Sequence, residues 1–251
     1  MSYRPNVLIT KELNDEQLKL AEDLGLHVVM QSAIDIEYRS DWFSFQTILK
    51  TVKKPVLAFT SQNGVESFRQ YIESGNDMPD FSAVYAVGEK TAEMLTEIGI
   101  EAVVPEQKNS MGLAKKLAED FADKKKKPNV LHLCGDKRRD EFRDFLEESD
   151  INIRDVVVYN THLNNMELPP QQMDAILFFS PSAVQAFRQS GGFLHQKNTE
   201  FFAIGSTTGE EVSIEAGRHV NISPEPDTET LLKFVANVLG EKINLDTENA
   251  G

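Results

Sequence analysis

The chain has 251 residues, of which 40% are hydrophobic and 26% are charged, and its formal net charge is −14. This composition is typical of globular proteins and excludes collagenous, coiled-coil and intrinsically disordered classes. The acidic balance argues against a nucleic-acid partner, because binding to a phosphate backbone requires a basic face. The sequence has no run of eighteen apolar residues and no signal-peptide pattern at its start, so we expect a cytoplasmic protein that does not enter a membrane.

Short apolar runs alternate with amphipathic stretches along the chain. Residues 7–10 (VLIT) predict a strand, residues 14–24 a helix and residues 27–30 a second strand. The same alternation continues through the sequence and predicts βα units with parallel sheets. Ser180 and Pro181 mark one of the helix starts, because a capping hydroxyl there precedes a proline.

An internal repeat divides the sequence into two similar halves. Four features recur in one order, at offsets of 117 to 123 residues. They are the strand–helix–strand patterns that start at residues 7 and 130, the motifs at residues 59–68 (FTSQNGVESF) and 179–187 (FSPSAVQAF), the motifs at residues 86–91 (AVGEKT) and 203–208 (AIGSTT), and the strand–helix pairs that start at residues 104 and 223. A repeat of this length predicts two domains of the same fold.

The order of the repeat is compatible with two topologies. Either each half forms one domain, or the halves exchange their first segment, so that residues 7–30 pack with the last third of the chain. Residues 32–41 and 159–168 lack a helical period and lie at matched places, which predicts a pair of connecting strands. The residues alone leave the choice between the topologies open.

Polar loops follow the predicted strands, at the place where open parallel sheets bind ligands. Their glycines permit close approach of the backbone, and their hydroxyl and amide groups can hold anions. The loops lie at residues 60–63, 88–91, 134–136, 180–182 and 205–208. Because such loops recur in both halves, we expect them to hold a multiply charged anionic ligand.

The common catalytic motifs are missing from the sequence. No P-loop, GxGxxG fingerprint or GxSxG nucleophile elbow follows any predicted strand. The five histidines show no metal-binding spacing, and the single cysteine can form neither an internal disulfide nor a multi-cysteine metal site. We expect His132 and Cys134 to be structural residues of a buried strand. Nucleotide, metal and covalent chemistry are therefore disfavoured.

These motifs resemble those of the uroporphyrinogen-III synthases over almost the whole chain. The resemblance rests on the order and spacing of VLIT (7–10), FTSQNGV (59–65), AVGEKTAEML (86–95), LCGDKRRDEF (133–142), VVYNT (157–161), FFSPSAV (178–184), AIGSTTGEEV (203–212) and SPEPDTETLL (223–232). It implies an α/β fold of two similar parallel-sheet, flavodoxin-like domains joined by a two-stranded connector. Residues 1–33 and 167–251 would form a discontinuous first domain, residues 41–158 the second domain, and residues 34–40 and 159–166 the connector.

The resemblance further implies a lyase of tetrapyrrole (heme) biosynthesis that uses neither a cofactor nor a metal. Its substrate would be hydroxymethylbilane, a linear tetrapyrrole with eight carboxylates. This molecule loses its hydroxyl group, and the last pyrrole ring is inverted through a spiro intermediate before the macrocycle closes. Loss of the hydroxyl needs a nearby proton donor, and closure needs both ends of the substrate held in one geometry. Tyr159 matches the tyrosine of the family's VYxT motif and is the expected catalytic acid.

Ten further positions match substrate-binding positions of the family. They are Lys11, Ser61, Asn63, Gly88, Thr91, Gly135, Arg139, Ser180, Ser182 and Thr208. Most would act on acetate and propionate groups through backbone amides or hydroxyls, with Lys11 and Arg139 as bases at the rim. The sequence departs from the family at three places, because Lys11 stands where arginine is usual, Asn160 where a basic residue is common, and Gly64 where alanine is found.

Two other functions remain compatible with the residues. One is a hinged, non-catalytic binding protein for an anionic small molecule, and the other is a two-domain transferase or phosphosugar enzyme whose loops grip phosphate. A pure binding protein should tolerate Tyr159→Phe. For the synthase we expect a monomer whose only partner is the linear tetrapyrrole substrate.

Overall fold

The computed structural model describes residues 3–196 and 198–249. Within this range the chain divides into two compact units. Unit 1 contains the described residues up to Asp35 and from His162 onward, and unit 2 contains Ile36–Thr161. Helices flank a mainly parallel sheet in each unit, which confirms the predicted mixed α/β class.

The elements are numbered in chain order. The strands are β1 (Asn6–Ile9), β2 (His27–Met30), β3 (Ile34–Tyr38), β4 (Val56–Phe59), β5 (Ala83–Ala86), β6 (Asn129–Gly135), β7 (Asn152–Leu163), β8 (Ala175–Phe178), β9 (Glu200–Ala203) and β10 (Asn221–Ile222). The helices are α1 (Asp15–Asp23), α2 (Phe43–Thr51), α3 (Gln62–Glu73), α4 (Glu89–Glu97), α5 (Ser110–Asp120), α6 (Glu141–Glu148), α7 (Pro181–Gln189), α8 (Gly192–His195), α9 (Ser206–Ala216) and α10 (Thr228–Asn249).

The two sheets share one strand order. The sheet of unit 1 runs β2-β1-β8-β9-β10, and the sheet of unit 2 runs β3-β7-β6-β4-β5, with Val103 bridged to Tyr85 of β5. In unit 1, β1 and β2 come from the first half of the repeat and lie beside β8, β9 and β10 of the second half. In unit 2, β6 and β7 come from the second half and lie beside β4 and β5 of the first half. β3 is left out of this comparison. Of the two topologies that the repeat permits, the sheets therefore show the exchange.

Burial of apolar side chains on both faces of each sheet stabilises these units. Every residue of β4 and β8 is buried, as the continuous apolar sequence of a central parallel strand predicts. The helices cover the sheets with their apolar faces, and Phe68 of α3 and Phe187 of α7 are both fully buried. Each such ring contributes about 2–3 kcal/mol through burial. The matched rings show that the repeat preserves the core contacts as well as the loops.

The structure corrects the register of the second repeated motif. Ser61 caps α3 and Ser180 caps α7, and these residues are 119 positions apart. The sequence comparison used Phe179 as the counterpart of Phe59 and gave an offset of 120. Phe59 and Phe178 are the residues that end β4 and β8, so Phe178 is the true counterpart. The error arose because the two phenylalanines are adjacent and the sequence alone does not show where the strand ends.

The connecting segments differ from the predicted ones in one respect. Residues 159–166 were predicted to be a connector strand, and the strand found there, β7, begins earlier at Asn152 and ends at Leu163. β3 is its neighbour, with the amide of Arg39 donating to the carbonyl of Val158 and the amide of Asn164 donating to the carbonyl of Ala33. The β-branched run before Tyr159 contains no turn residue, so the strand continues.

No helix in the described part of the chain combines the length and the apolar character that crossing a membrane requires.

Candidate functional site

Four of the predicted site residues of unit 2 come together where β4 and β6 end, beside Tyr159 of β7. The hydroxyl of Tyr159 donates to Oγ of Ser61 at 3.1 Å, and the backbone amide of Asn63 donates to the same oxygen at 3.0 Å. The hydroxyl of Tyr38 donates to Oδ1 of Asn63 at 3.3 Å. Both lone pairs of the Ser61 oxygen are thus engaged, so the hydrogen of its own hydroxyl is the group that can donate to a ligand.

Gly135 is the fourth of these residues, and the ring of Tyr159 explains why it is glycine. A Cβ atom at Gly135 would lie 2.4 to 2.9 Å from three atoms of that side chain. The register of β6 and β7 shifts between Cys134 and Gly135, and this irregularity pairs Gly135 with Tyr159. The absence of a side chain at Gly135 therefore lets the Tyr159 ring reach Ser61.

Tyr159 is buried with only its hydroxyl directed at the loop. The residue is 9% exposed, and burial raises the pKa of its phenol above the usual range. A phenol with a raised pKa keeps its proton at neutral pH. Tyr159 is therefore suited to donating a hydrogen bond, and releasing its proton costs more than for an exposed tyrosine.

The helices that follow the AVGEKT and AIGSTT motifs begin without a side-chain cap. Gly88 precedes α4 and Gly205 precedes α9, and neither of these N-cap residues makes a side-chain hydrogen bond to its helix. Both glycines have φ of −170°, an extended conformation that any residue can adopt. A Cβ atom at Gly205 would meet nothing within 4 Å, and one at Gly88 would make only an ordinary contact at 3.8 Å. Neither backbone strain nor packing requires glycine there, and helix starts of this kind favour anions.

Thr91 and Thr208 are the third residues of these same helices. They are 3% and 4% exposed, so both predicted binding residues are buried. The side chain of Lys108 reaches the start of α4 and lies 3.0 Å from Oε1 of Glu89. Hydrogen bonding to Lys108 lowers the pKa of Glu89. A cation is thus placed beside the amides of α4.

In unit 1 the predicted residues gather around the end of β1 and the start of α7. The ammonium of Lys11 donates to Oγ1 of Thr228 at 2.9 Å and lies 4.6 Å from the centre of the Phe179 ring. Ser180 follows that ring and accepts from the amide of Ala183 at 3.2 Å, which makes it the cap of α7. Ser182 is the second residue of the same helix. Lys11 is therefore held at the edge of this loop cluster by an aromatic face and a hydroxyl.

Two departures from the family pattern acquire local explanations. Asn160 replaces a commonly basic residue, but the guanidinium of Arg39 donates to its Oδ1 at 2.9 Å and supplies a positive charge beside it. Gly64 replaces alanine, and a Cβ atom there would lie 2.7 Å from the carbonyl oxygen of Leu133. The predicted rim base Arg139 is 40% exposed in its side chain and lies 3.9 Å from Glu141.

His132 and Cys134 are buried, as expected, and together with Asp155 they bring three possible metal ligands within 4.8 Å of one another. All three groups already have other partners or a bound proton. Both ring nitrogens of His132 are hydrogen-bonded, and Asp155 accepts from two guanidinium groups. Burial raises the pKa of the Cys134 thiol to about 12. A metal would have to displace these partners, so we assign none to the cluster.

Sequence reasoning missed three residues of the two loop clusters, which are Tyr38, Lys108 and Thr228. They are distant in the sequence from the residues they contact, and no local pattern marks them. Gly205 lies in the predicted loop at residues 205–208, although it was not among the ten predicted binding residues.

Comparisons with known proteins agree on one family. The family model described as uroporphyrinogen-III synthase HemD matches residues 15–233. The uroporphyrinogen-III synthetase of Helicobacter pylori superposes with a TM-score of 0.64 at 19% identity, covering 94% of this chain and all of that one. Two crystal forms of the Thermus thermophilus uroporphyrinogen III synthase give TM-scores of 0.68 and 0.54 at 15% and 16% identity, covering 94% and 95% of this chain and 99% of the other. These structural likenesses establish the fold, and the family model establishes the family.

Proposed function

The chain belongs to the uroporphyrinogen-III synthase family, and from this premise we propose how its loops act on the substrate. The protein is a lyase that converts hydroxymethylbilane into uroporphyrinogen III, a step of tetrapyrrole and heme biosynthesis. The observation that carries this function is the match of the family model to most of the chain. The geometry of the loops supplies the mechanism.

The reaction asks for positioning and proton transfer. The hydroxyl group of the substrate leaves as water, and the resulting cationic ring is attacked at the far end of the same molecule with inversion of the last pyrrole. Holding the two reacting ends in one geometry removes several kcal/mol from the barrier, because the entropy loss occurs on binding. The carboxylates of the substrate are the handles through which such positioning acts.

The donor clusters of both units bind these carboxylates. The amides at the starts of α4 and α9 and the hydroxyls of Ser61 and Ser180 offer uncharged donors, and Lys11 and Arg139 add positive charge. Each helix start contributes about 0.3–1 kcal/mol toward an anion. Mostly uncharged donors suit a protein of net charge −14, because distant acids are screened within about 8 Å at physiological salt.

Tyr159 is the catalytic residue that meets the departing hydroxyl. Its phenol now donates to Ser61, and a substrate oxygen beside Ser61 could accept from the same group. Replacing Tyr159 with phenylalanine should lower kcat about 10- to 100-fold and change KM little, because the lost donor acts on the leaving group. Tyr85→Phe is the matched control, since Tyr85 is another buried tyrosine of unit 2 whose hydroxyl donates to Asp120.

The domain arrangement belongs to the same proposal. Two flavodoxin-like domains, joined by a connector of two strands, would each present one donor cluster, and the protein would act as a monomer. The shared strand order of the two sheets supports this arrangement. Light scattering of the purified chain, with and without substrate, tests the monomer.

Incubation with hydroxymethylbilane tests the function directly. Uroporphyrinogen III should form faster than the type I isomer, which closes spontaneously without inversion. A hinged binding protein would retain the substrate and yield only type I product. That outcome would overturn the synthase function for this chain.

A further inference from the structure

A chain of hydrogen-bonded side chains leads from the core of unit 2 to the loop that holds Ser61. His132 of β6 and Asp155 of β7 are paired across the strands, and Nδ1 of the imidazole lies 2.8 Å from Oδ1 of the carboxylate. The other ring nitrogen, Nε2, lies 2.8 Å from Oγ1 of Thr60, the residue before Ser61. His132 is 2% exposed and Thr60 is partly exposed, so the threonine is the end that faces the site. We call Thr60, His132 and Asp155 the relay.

The hydrogen bonds fix which nitrogen of His132 exchanges its proton. Burial acts to raise the pKa of Asp155, but hydrogen bonds from His132 and Arg138 outweigh it and lower the pKa to about 2. An ionised carboxylate can only accept, so Nδ1 carries a hydrogen and Nε2 is the nitrogen that gains or loses one. A neutral Nε2 accepts the hydrogen of Thr60. A protonated Nε2 donates to Thr60 and leaves the threonine hydrogen available to a ligand.

The fold itself does not require these polar groups. The register of the two sheets makes Ile9 the counterpart of His132 and Met30 the counterpart of Asp155, and the caps of α3 and α7 make Phe179 the counterpart of Thr60. Unit 1 therefore fills all three relay positions with apolar side chains. Buried polar networks are often no more stable than such apolar packing. Stability alone gives no reason for unit 2 to differ.

The charged groups around His132 come from three directions. Asp155 faces it from β7, and Arg138 and Arg143 reach the same carboxylate from the loop after β6 and from α6, at 2.7 and 2.8 Å. Cys134 lies on the same strand as His132, and its thiol keeps its proton because burial raises its pKa to about 12. The carboxylate of Asp155 therefore has three hydrogen-bonding partners, which are the imidazole of His132 and the two guanidinium groups.

Building on the function proposed above, we propose that Thr60 is a catalytic residue that protonates the departing hydroxyl of hydroxymethylbilane, and that His132 and Asp155 are positioning residues that act through it. The hydroxyl, imidazole and carboxylate are arranged as in a catalytic triad of a nucleophile, histidine and aspartate. Here the imidazole gives a proton to the hydroxyl and does not take one from it. Thr60 adjoins Ser61, the residue to which Tyr159 donates. The relay and Tyr159 therefore converge on one loop.

The proton transfer balances without any further reagent. The bond between the substrate's methylene carbon and its hydroxyl oxygen breaks, and both electrons leave with the oxygen. That oxygen takes the proton of Thr60 and departs as water, while Thr60 takes the proton from Nε2 and His132 becomes neutral. After ring closure the attacked pyrrole carbon loses its hydrogen as a proton, and a proton returns to His132.

The two hydroxyl groups at this loop have different tasks. Tyr159 has a raised pKa and donates a hydrogen bond without giving up its proton. Thr60 exchanges one proton for another and carries no net charge at the end of the step. A threonine hydroxyl is a weaker acid than a phenol, so the proton of Thr60 leaves only as Nε2 of His132 supplies another.

Substitutions at Thr60 test the proposal in the full-length enzyme. Thr60→Val removes the hydroxyl at nearly constant shape and should lower kcat about 100-fold, at the lower end of the range for general acid catalysis, with KM changed less than about threefold. Thr60→Ser restores the hydroxyl and should recover most of that loss. Tyr85→Phe, which removes a hydrogen bond elsewhere in unit 2, should leave kcat unchanged.

A pH profile separates the relay from a merely structural network. The kcat of the wild type should fall as pH rises, because only a protonated imidazole can supply a proton to Thr60. In His132→Gln and in Thr60→Val this limb of the profile should disappear.

The outcomes distinguish the relay from the overall function. Type III product with wild-type kcat and pH profile in Thr60→Val would overturn the relay and leave the synthase function intact. An equal loss in the serine and valine variants would also overturn it, since it would indicate a packing role. A wild-type chain that yields only type I product would instead overturn the proposed function.

Discussion

The two units share a scaffold and differ in the polar groups built on it. Both have the same order of repeat segments in their sheets, a serine cap on the helix after the central strand, and a glycine before the next helix. Unit 2 adds the relay and Tyr159, whereas unit 1 has apolar residues at the relay positions and Lys11 over an aromatic ring. The shared features are those that we propose to bind the carboxylates of the substrate. The features that can move a proton lie in unit 2 alone among the described relay positions.

In the proposed mechanism, both units share the binding of carboxylates, and only unit 2 carries the groups that transfer a proton. Helix starts hold carboxylates wherever the fold provides them, so both units retain them. A proton relay needs a titratable group in the core, which costs stability unless every partner is satisfied. One such group is enough for one departing hydroxyl. Two kinds of experiment test this comparison. One measures how the polar groups of unit 2 affect the free energy of unfolding, and the other measures whether the helix starts shared by both units bind the substrate.

The largest expected effect comes from removing the carboxylate of the relay. Asp155→Ala should lower the free energy of unfolding by about 3 kcal/mol, because His132 and two arginines lose their buried acceptor. The double variant His132→Ile with Asp155→Met, which copies unit 1, should be less destabilised than Asp155→Ala. Urea unfolding measures both, and a double variant that is the less stable of the two would show that unit 2 needs the polar pair for folding.

Lowering the pH should remove the contribution that the ionised carboxylate of Asp155 makes to the free energy of unfolding. The pKa of Asp155 is lower in the folded protein than in the unfolded chain, where it is near 3.8, so its contribution is complete above that value and declines as pH falls toward 2. The whole contribution is about 2 kcal/mol, and roughly half is lost by pH 3. Unfolding free energies between pH 6 and pH 3 should fall more steeply for the wild type than for Asp155→Asn. Parallel curves would contradict this pKa.

Adding a serine cap to α4 or α9 should stabilise the fold and weaken substrate binding. Gly88→Ser and Gly205→Ser introduce a capping hydroxyl at extended positions with open space around them. Each should raise the free energy of unfolding by a few tenths of a kcal/mol, because serine caps better than glycine. The new side chain competes with a substrate carboxylate for the amides, so KM should rise about tenfold, equivalent to about 1.4 kcal/mol. Steady-state kinetics and thermal unfolding on the same preparations test this, and an unchanged KM in both variants would remove these helix starts from the site.

The sequence predicts the shared features better than the distinctive ones. The α/β class, the repeat and the caps at Ser61 and Ser180 follow from periodicity and from residues within a few positions of one another. The relay joins Thr60 to His132 across 72 positions and His132 to Asp155 across 23, through side chains whose direction depends on strand register. The sequence therefore predicted a buried structural histidine but not its partners. The one-residue error in the repeat also concealed that Phe179 is the counterpart of Thr60.

The smallest effect compares the two serine caps. Ser180→Ala removes the acceptor for one amide of α7 and should cost about 1 kcal/mol. Ser61→Ala removes the cap of α3 and also the acceptor of the Tyr159 hydroxyl, so it should cost about 1 kcal/mol more. Chemical denaturation of both variants gives the difference.

A double-mutant cycle identifies the source of that difference. If the extra cost of Ser61→Ala is the hydrogen bond from Tyr159, then Tyr159→Phe should have little further effect on stability in the Ser61→Ala background. Ser180 provides the reference, because Tyr159→Phe should lower stability by the same amount with or without Ser180→Ala. Additive effects at Ser61 would mean that the phenol and the serine act independently. The Tyr159 hydroxyl would then not depend on the cap for its direction, and the link between the shared binding loop and the distinctive chemistry of unit 2 would be lost.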